Sequence, residues 1–108
     1  MTARRRRNLH LMADYGSAGI WDHDGAPLDP DKLPLSAKLR ARLARWSARF
    51  QKSFETEIDL DAFAAEGYAI ARAVKAELPG WSIVYFDEAA AAQAGYRGSR
   101  TAYEIEIP

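Results

Sequence analysis

The segment WSIVYFD, residues 81–87, is apolar on both faces and rich in β-branched and aromatic side chains. Two apolar faces are typical of a strand in the middle of a sheet, so we expect a central strand here. NLHLMAD at residues 8–14 and TAYEIEI at residues 101–107 alternate between apolar and polar side chains and predict two further strands. The predicted inward-facing side chains of these two strands are Leu9, Leu11, Ala13, Tyr103, Ile105 and Ile107.

Two helices are predicted between the first two strands. The first follows Ser36, its expected N-cap, and carries an apolar stripe at spacings of three and four residues. This stripe consists of Leu39, Leu43, Trp46, Phe50 and Phe54. The second helix begins after Asp59 or Asp61 and ends at Pro79 and Gly80. Its apolar face, where Gly67 allows close approach to a neighbouring element, consists of Leu60, Phe63, Gly67, Ile70, Val74 and Leu78.

The predicted order of elements is β-α-α-β-α-β. Asp87 is expected to cap a short alanine-rich third helix that runs through Gln93, and residues 15–35, punctuated by glycine and proline, are expected to be mostly loop. A strand, a helical crossover and a second strand favour a parallel pair with a right-handed connection. We therefore predict an α/β or α+β fold, with a small three-stranded, at least partly parallel sheet covered by two antiparallel helices.

The composition indicates one domain preceded by a basic arm. The chain has 108 residues, 48% of them apolar and 28% charged, which is ordinary for a globular protein. Residues 4–7 are all arginine, so residues 8–108 carry 11 basic and 15 acidic side chains, a net charge of −4. We expect residues 1–7 to be a disordered basic arm and residues 8–108 to be a single α/β domain. An acidic body argues against a protein built mainly to bind nucleic acid.

Several classes of protein are excluded by residue content. The chain contains no cysteine, which rules out a disulfide framework and a thiolate zinc cluster. The longest apolar run is far shorter than a membrane span, and no apolar stretch of the signal-peptide type follows the basic N-terminus. We expect a cytoplasmic bacterial protein with no cofactor, no metal ion and no membrane partner.

DYGSAGIWDHDG, residues 14–25, follows the first predicted strand and combines carboxylates with aromatic side chains. It does not match a calcium loop, because Ile20 takes the first ligand position when Gly25 takes the glycine position. YGSAG does not match a nucleophile elbow, because Tyr15 replaces the required glycine. Aromatic rings beside carboxylates are typical of protein-binding hot spots. The predicted partner-binding residues are Asp14, Tyr15, Trp21, Asp22 and Asp24. The alternative is structural, with Trp21 covering the core and the aspartates forming turns.

Two other patterns support alternative functions. Five cations recur at 4-3-4-3 spacing on the first helix: Lys38, Arg42, Arg45, Arg49 and Lys52. With the arginine arm, this basic stripe predicts contacts with nucleic acid or with an acidic partner, unless it is simply a solvated helix face. Asp14 and Asp87 meet at one sheet edge if their strands are parallel, where they could serve as an acid–base pair in a small enzyme. Their structural alternatives are a loop contact and a helix cap. The last strand, if it lies at an exposed edge, allows two copies to pair.

A set of short motifs resembles a group of small stand-alone bacterial proteins of unestablished function. The motifs are ADYGS, a tryptophan, LDPDKLPLS, L..RL.RW, F..EG and VYFD, and together they span residues 9–87. The order of elements is also similar to that of barstar, a nuclease inhibitor with parallel strands and packed helices. The resemblance implies no catalytic residue. Our hypothesis is a soluble bacterial protein-binding module, not an enzyme, of the immunity or antitoxin type of inhibitor, with another protein as its partner.

Overall fold

The computed structural model describes residues 7–15, 17–53 and 55–108. Its strands are β1 (Asn8–Leu11), β2 (Ile20–Asp22), β3 (Ser82–Phe86) and β4 (Glu104–Glu106). Its α-helices are α1 (Ala37–Gln51), α2 (Leu60–Glu77) and α3 (Glu88–Gln93). Two short 3₁₀-helices occupy Pro30–Lys32 and Arg100–Tyr103. Most of the predicted arm, residues 1–6, lies outside the described residues, as do Gly16 and Phe54.

The sheet has the strand order β2-β1-β3-β4. β1 and β3 are parallel neighbours at its centre, with His10 opposite Val84, and this confirms the predicted parallel pair. β2 pairs antiparallel with β1, and β4 pairs antiparallel with β3. The mixed sheet and the helices confirm the predicted α/β or α+β class, although the sheet has four strands rather than three.

The additional strand, β2, lies inside the segment predicted to be loop. It is flanked by Gly19 and Gly25, both with φ near +85°, a conformation that glycine adopts without the steric penalty of a side chain. Its outer edge pairs with the following segment, where Leu28 donates a backbone hydrogen bond to the Ile20 carbonyl. A strand of three residues is too short to show alternation in the sequence, so the prediction of loop was wrong here.

The last strand is shorter than predicted. Residues 101–103 belong to a 3₁₀-helix rather than to a strand, and β4 begins at Glu104. Ile107 is buried as predicted, but Ile105 is 39% exposed. Ile105 lies on β4, an edge strand, and pairs with Tyr85 of β3. Because no further strand of the described chain covers β4, the predicted burial of the Ile105 side chain was wrong.

The two long helices pack antiparallel to each other. Contacts between them descend in register, from Ser36 with Glu77, through Arg42 with Glu66, to Trp46 with Phe63. The predicted caps are confirmed: the side chains of Ser36, Asp59 and Asp87 accept backbone hydrogen bonds at the first turns of α1, α2 and α3. Both helices contribute to the buried core beside the sheet, which includes Leu9, Leu11, Leu39, Leu43, Trp46, Phe63, Ile70, Val74, Ile83 and Tyr85.

Gly67 of α2 lies where the helix approaches two buried aromatic rings. The Trp46 ring stacks on Phe63 at 4.7 Å between centroids, and the Tyr85 hydroxyl donates to the Ala64 carbonyl at 2.8 Å. A Cβ atom on Gly67 would lie 2.5 Å from the Tyr85 hydroxyl oxygen and 2.6 Å from Cζ2 of Trp46. The close approach predicted from the small side chains of α2 is therefore confirmed.

Candidate protein-binding surface

The parallel pairing of β1 and β3 brings two chain segments to one edge of the sheet. The loop after β1, residues 12–19, is held against the C-terminal half of α1. Gln51 Nε2 donates to the Asp14 carbonyl at 2.7 Å and to the Ser17 carbonyl at 3.1 Å. The buried Ser47 hydroxyl donates to the same Ser17 carbonyl at 3.1 Å. These contacts fix the backbone from which Asp14 and Tyr15 project.

Tyr15 presents an aromatic ring in a defined position. Its side chain is 53% exposed, yet the ring packs on Phe50 at 4.9 Å between centroids, and its hydroxyl lies 2.8 Å from Oγ of Ser53. Asp14 is exposed beside it and accepts the backbone N–H of Tyr15 at 2.8 Å through Oδ1. The ring therefore combines exposed apolar area with restricted freedom.

A second exposed tyrosine lies at the same edge. Tyr96 is 59% exposed, and its hydroxyl donates to Oε2 of Glu88 at 2.7 Å. Its φ of 57° is uncommon for a residue other than glycine, which marks the position as one to consider for function. Glu88, in the first turn of α3, is only 6% exposed.

Electrostatics shows that these groups are close neighbours. Burial raises the pKa of Glu88, the hydrogen bond from Tyr96 lowers it, and the charges of Asp14 and Asp87 raise it further. Burial, the hydrogen bond to Glu88 and the nearby charges of Glu88 and Tyr15 together raise the pKa of Tyr96 to about 12. We call Asp14, Tyr15, Asp87, Glu88 and Tyr96 the carboxyl-edge surface.

Of the carboxyl-edge surface, Asp14 and Tyr15 were predicted as binding residues and Asp87 as half of an acid–base pair or a helix cap, whereas Glu88 and Tyr96 were not predicted. The local sequence, an alanine-rich helix followed by Gly95, predicts only where α3 ends. It does not indicate that the Tyr96 side chain lies close to the loop after β1. With Ile105, the two tyrosines are the exposed large hydrophobic residues of the chain that the structure describes.

The other three predicted binding residues lie elsewhere. Asp22 accepts the backbone N–H groups of Asp24 and Ala26 through Oδ1, both at 2.9 Å, and so stabilises a turn. Because β2 runs antiparallel to β1, this turn lies at the opposite end of the strand pair from Asp14. The exposed Asp24 lies in the same turn. The strand pair therefore separates Asp14 and Tyr15 from Asp22 and Asp24.

Trp21 lies on the sheet face that points away from the core. It is half-buried opposite His10, and its Nε1 donates to the Met12 carbonyl at 2.9 Å. On the same face, His10 Nδ1 lies 3.0 Å from Oε2 of Glu104, and Nε of Arg100 lies 3.7 Å from that oxygen. This network connects β1 with the start of β4 across the intervening β3.

The carboxylate pair considered for catalysis lies as the parallel strands predict, because Asp14 and Asp87 both follow the carboxyl ends of their strands. Asp87 caps α3, accepting the Ala90 N–H at 3.1 Å. In the part of the chain that the structure describes, no three His, Cys, Asp or Glu side chains are grouped so that they could hold a metal ion. None of the described helices has the length and apolar character needed to cross a membrane.

The basic stripe remains exposed along α1, apart from Arg42, which is half-buried. Arg42 Nε donates to Oε1 of Glu66 on α2 at 2.7 Å, and this hydrogen bond is the largest cause of the lowered pKa of Glu66. The Arg49 guanidinium lies 5.9 Å from the centroid of the Phe63 ring.

Comparison with protein-family models gives a match over most of the chain. A family model described as Serratia CdiI immunity protein-like matches residues 7–88, which run from the start of the sheet to the first residue of α3. No curated protein shows significant similarity to the chain. The matched region contains Asp14, Tyr15, Asp87 and Glu88 of the carboxyl-edge surface.

Proposed function

The chain belongs to the Serratia CdiI immunity protein-like family, and we propose that it is a cytoplasmic bacterial immunity protein that binds a toxin and thereby inhibits it. An immunity protein acts by association, so this role requires a protein-binding surface rather than a catalytic centre. The motif resemblance and the barstar-like order of elements remain predictions from the sequence.

We place the toxin contact on the carboxyl-edge surface. The observation that supports this choice is the pair of exposed tyrosine rings, Tyr15 and Tyr96, each with its hydroxyl in a hydrogen bond. Tyrosine rings that are already ordered lose little conformational freedom on binding, and tyrosine is enriched among interface hot spots. In this proposal Asp14, Asp87 and Glu88 serve in binding and in the local structure, not in catalysis.

The charge of this surface defines the kind of partner it fits. Asp14 is exposed next to Tyr15, Asp87 is half-buried, and the buried Glu88 accepts the hydrogen bond from Tyr96. A complementary toxin surface therefore carries lysine or arginine side chains around an apolar centre. Such complementarity accelerates association and excludes wrong partners more than it adds to affinity, so the association rate should fall as salt is added.

The test begins with capture of the partner by the tagged chain from a lysate of its native host, with nuclease present. The captured protein is then expressed alone and together with this chain in a bacterial strain that lacks both. We expect a partner captured at near-equal amounts that arrests growth alone, and growth that resumes on co-expression. A captured protein that leaves growth unaffected would contradict the proposed function.

Variants locate the contact. Truncating two hot spots, in Y15A/Y96A, should weaken binding by roughly 30-fold for each ring and abolish the growth rescue. I105A removes an exposed apolar side chain from β4 and serves as the matched control, with wild-type affinity expected. D24N tests the turn after β2 in the same assay. Full affinity in Y15A/Y96A together with a loss in D24N would move the contact to that turn.

A further inference from the structure

The basic stripe on α1 is not used by the proposed toxin contact. With 100° between successive residues, its five cations fall within an arc of about 80° and extend over about 21 Å of helix. Arg42 is paired with Glu66. The other four, Lys38, Arg45, Arg49 and Lys52, form no ion pair with any residue that the structure describes, and all four are exposed.

A groove of about 260 Å³ interrupts this stripe between α1 and α2. Three arginines line it, Arg42, Arg45 and Arg49, together with Trp46 and a single carboxylate, Glu66. The hydrogen bond from Arg42 is the largest cause of the lowered pKa of Glu66, and the charges of Arg42, Arg49 and Arg45 lower it further. One carboxylate among three guanidinium groups leaves an excess of positive charge in a concave site.

We propose that this basic face of α1 binds the phosphate backbone of a double-stranded nucleic acid. The guanidinium fork matches phosphate oxygens with two parallel hydrogen bonds, and lysines at the two ends extend the row of positive charge. The duplex carries its phosphates in regular rows along its axis. A linear row of unpaired cations therefore has a regular array of anions to meet.

Two observations favour this ligand over an acidic protein or a single strand. The exposed large hydrophobic residues of the described chain are Tyr15, Tyr96 and Ile105, and none of them lies on the stripe. Protein interfaces are typically centred on aromatic or aliphatic anchors, whereas phosphate binding needs only the cations. Single strands are held mainly by bases stacked on exposed aromatic rings, and the only ring in the groove, Trp46, is buried.

The inference does not depend on the toxin contact, because the two surfaces use different residues. They adjoin at the C-terminal end of α1, where Lys52 precedes Ser53, the residue whose hydroxyl contacts Tyr15. The row of contacts between the stripe and a duplex would therefore end beside the carboxyl-edge surface.

The test uses the full chain and two labelled probes, a DNA duplex of about 24 base pairs and an RNA hairpin of similar length, followed by fluorescence anisotropy at several salt concentrations. R45Q/R49Q removes two of the proposed phosphate contacts. The slope of log affinity against log salt should become shallower by about 1.8, so that the loss of affinity between about 50 and 200 mM salt is reduced about 12-fold. R72Q/R97Q removes two exposed charges elsewhere and should leave the slope unchanged.

The arm requires its own variant, because residues 4–6 are also arginine. In R4Q/R5Q/R6Q, the effect of R45Q/R49Q on the slope should persist. Binding of either probe that weakens with salt, and whose salt dependence is reduced in R45Q/R49Q, supports the proposal. The two probes show whether DNA or RNA is preferred. Absence of binding to both probes at about 50 mM salt would overturn it, as would equal effects of the two double variants. Equally tight binding of a labelled poly-glutamate peptide through Arg45 and Arg49 would also overturn it.

Discussion

Replacement of Gly67 by alanine tests the packing on which the whole helix layer depends. In an ordinary exposed helix position this change stabilises by about 1 kcal/mol, because alanine has the higher helix propensity. Here the added methyl group would meet the Tyr85 hydroxyl oxygen at 2.5 Å and Cζ2 of Trp46 at 2.6 Å. Both rings are buried, so neither can swing into solvent to make room.

The expected cost follows from these two contacts. Overpacking a dense core costs about 1–3 kcal/mol. Displacing Tyr85 also breaks the hydrogen bond from its hydroxyl to the Ala64 carbonyl, and an unsatisfied buried group costs about 1–3 kcal/mol. After the gain in helix propensity is subtracted, we expect a net loss of about 3 kcal/mol in the free energy of unfolding. For a domain of this size that corresponds to a fall in Tm of roughly 12–20 °C.

Thermal and urea unfolding followed by circular dichroism would measure this loss. Gly80→Ala is the matched control, because no described atom beyond its chain neighbours lies within 4 Å of its Cβ position and its φ is not in the left-handed region. Its effect should stay within about 0.5 kcal/mol. Tyr85→Phe removes the nearest clashing atom. The double variant should therefore lose less stability than the sum of the losses in Tyr85→Phe and Gly67→Ala. A Gly67→Ala protein at least as stable as the wild type would refute the reasoning.

Two further predictions concern single side chains. Because burial raises the pKa of Glu88 above its unfolded value, the stability that this group contributes is present at acid pH and is lost as pH rises through its folded pKa. In urea unfolding, the stability of Glu88→Gln relative to the wild type should therefore increase as pH rises above 4.5, the ordinary pKa of a glutamate side chain. A difference in stability that does not depend on pH would count against the buried carboxylate. Trp21→Phe loses the hydrogen bond from Nε1 to the Met12 carbonyl and should lower the free energy of unfolding by about 1 kcal/mol. Trp81→Phe is the control, because the Trp81 ring forms no hydrogen bond with a described residue. Equal losses of stability in the two variants would contradict this role for Trp21.

Features that depend on local sequence were predicted correctly. Ser36 and Asp87 were recognised as caps, and the cap of α2 was narrowed to Asp59 or Asp61, because a capping side chain bonds to backbone only two or three residues ahead. The central strand was recognised because both of its faces are buried, which makes its residues apolar without alternation. β2 was missed because its three residues gain their structure from pairing with β1 and with residues 26–28, not from any pattern of their own.

The candidate site shows the same division between local and tertiary information. Asp14 and Tyr15 were found because they follow a recognisable strand. Tyr96 was not found, because it reaches this edge only through the packing of α3 beside the carboxyl end of β3. Trp21, equally aromatic and equally close to carboxylates in the sequence, lies elsewhere because β2 runs back along β1 and its register places Trp21 opposite His10 on the outer face of the sheet. Composition of a loop therefore predicts which side chains are available for binding, while strand direction determines which of them act together.

Segregation of charge explains how a chain with a net charge of zero can present two binding surfaces. The carboxyl-edge surface includes three carboxylates, and the exposed side of α1 carries four cations that form no ion pair with the residues that the structure describes. At physiological salt, charges are screened beyond about 8 Å, so an approaching molecule responds to the nearest surface and not to the net charge. A basic protein and a nucleic acid would thus be attracted to two different surfaces of the same small domain, which adjoin at the C-terminal end of α1. Residues 8–108 are mildly acidic overall, which argues against nucleic acid as the main partner. This overall charge does not prevent the basic stripe of α1 from binding phosphate groups.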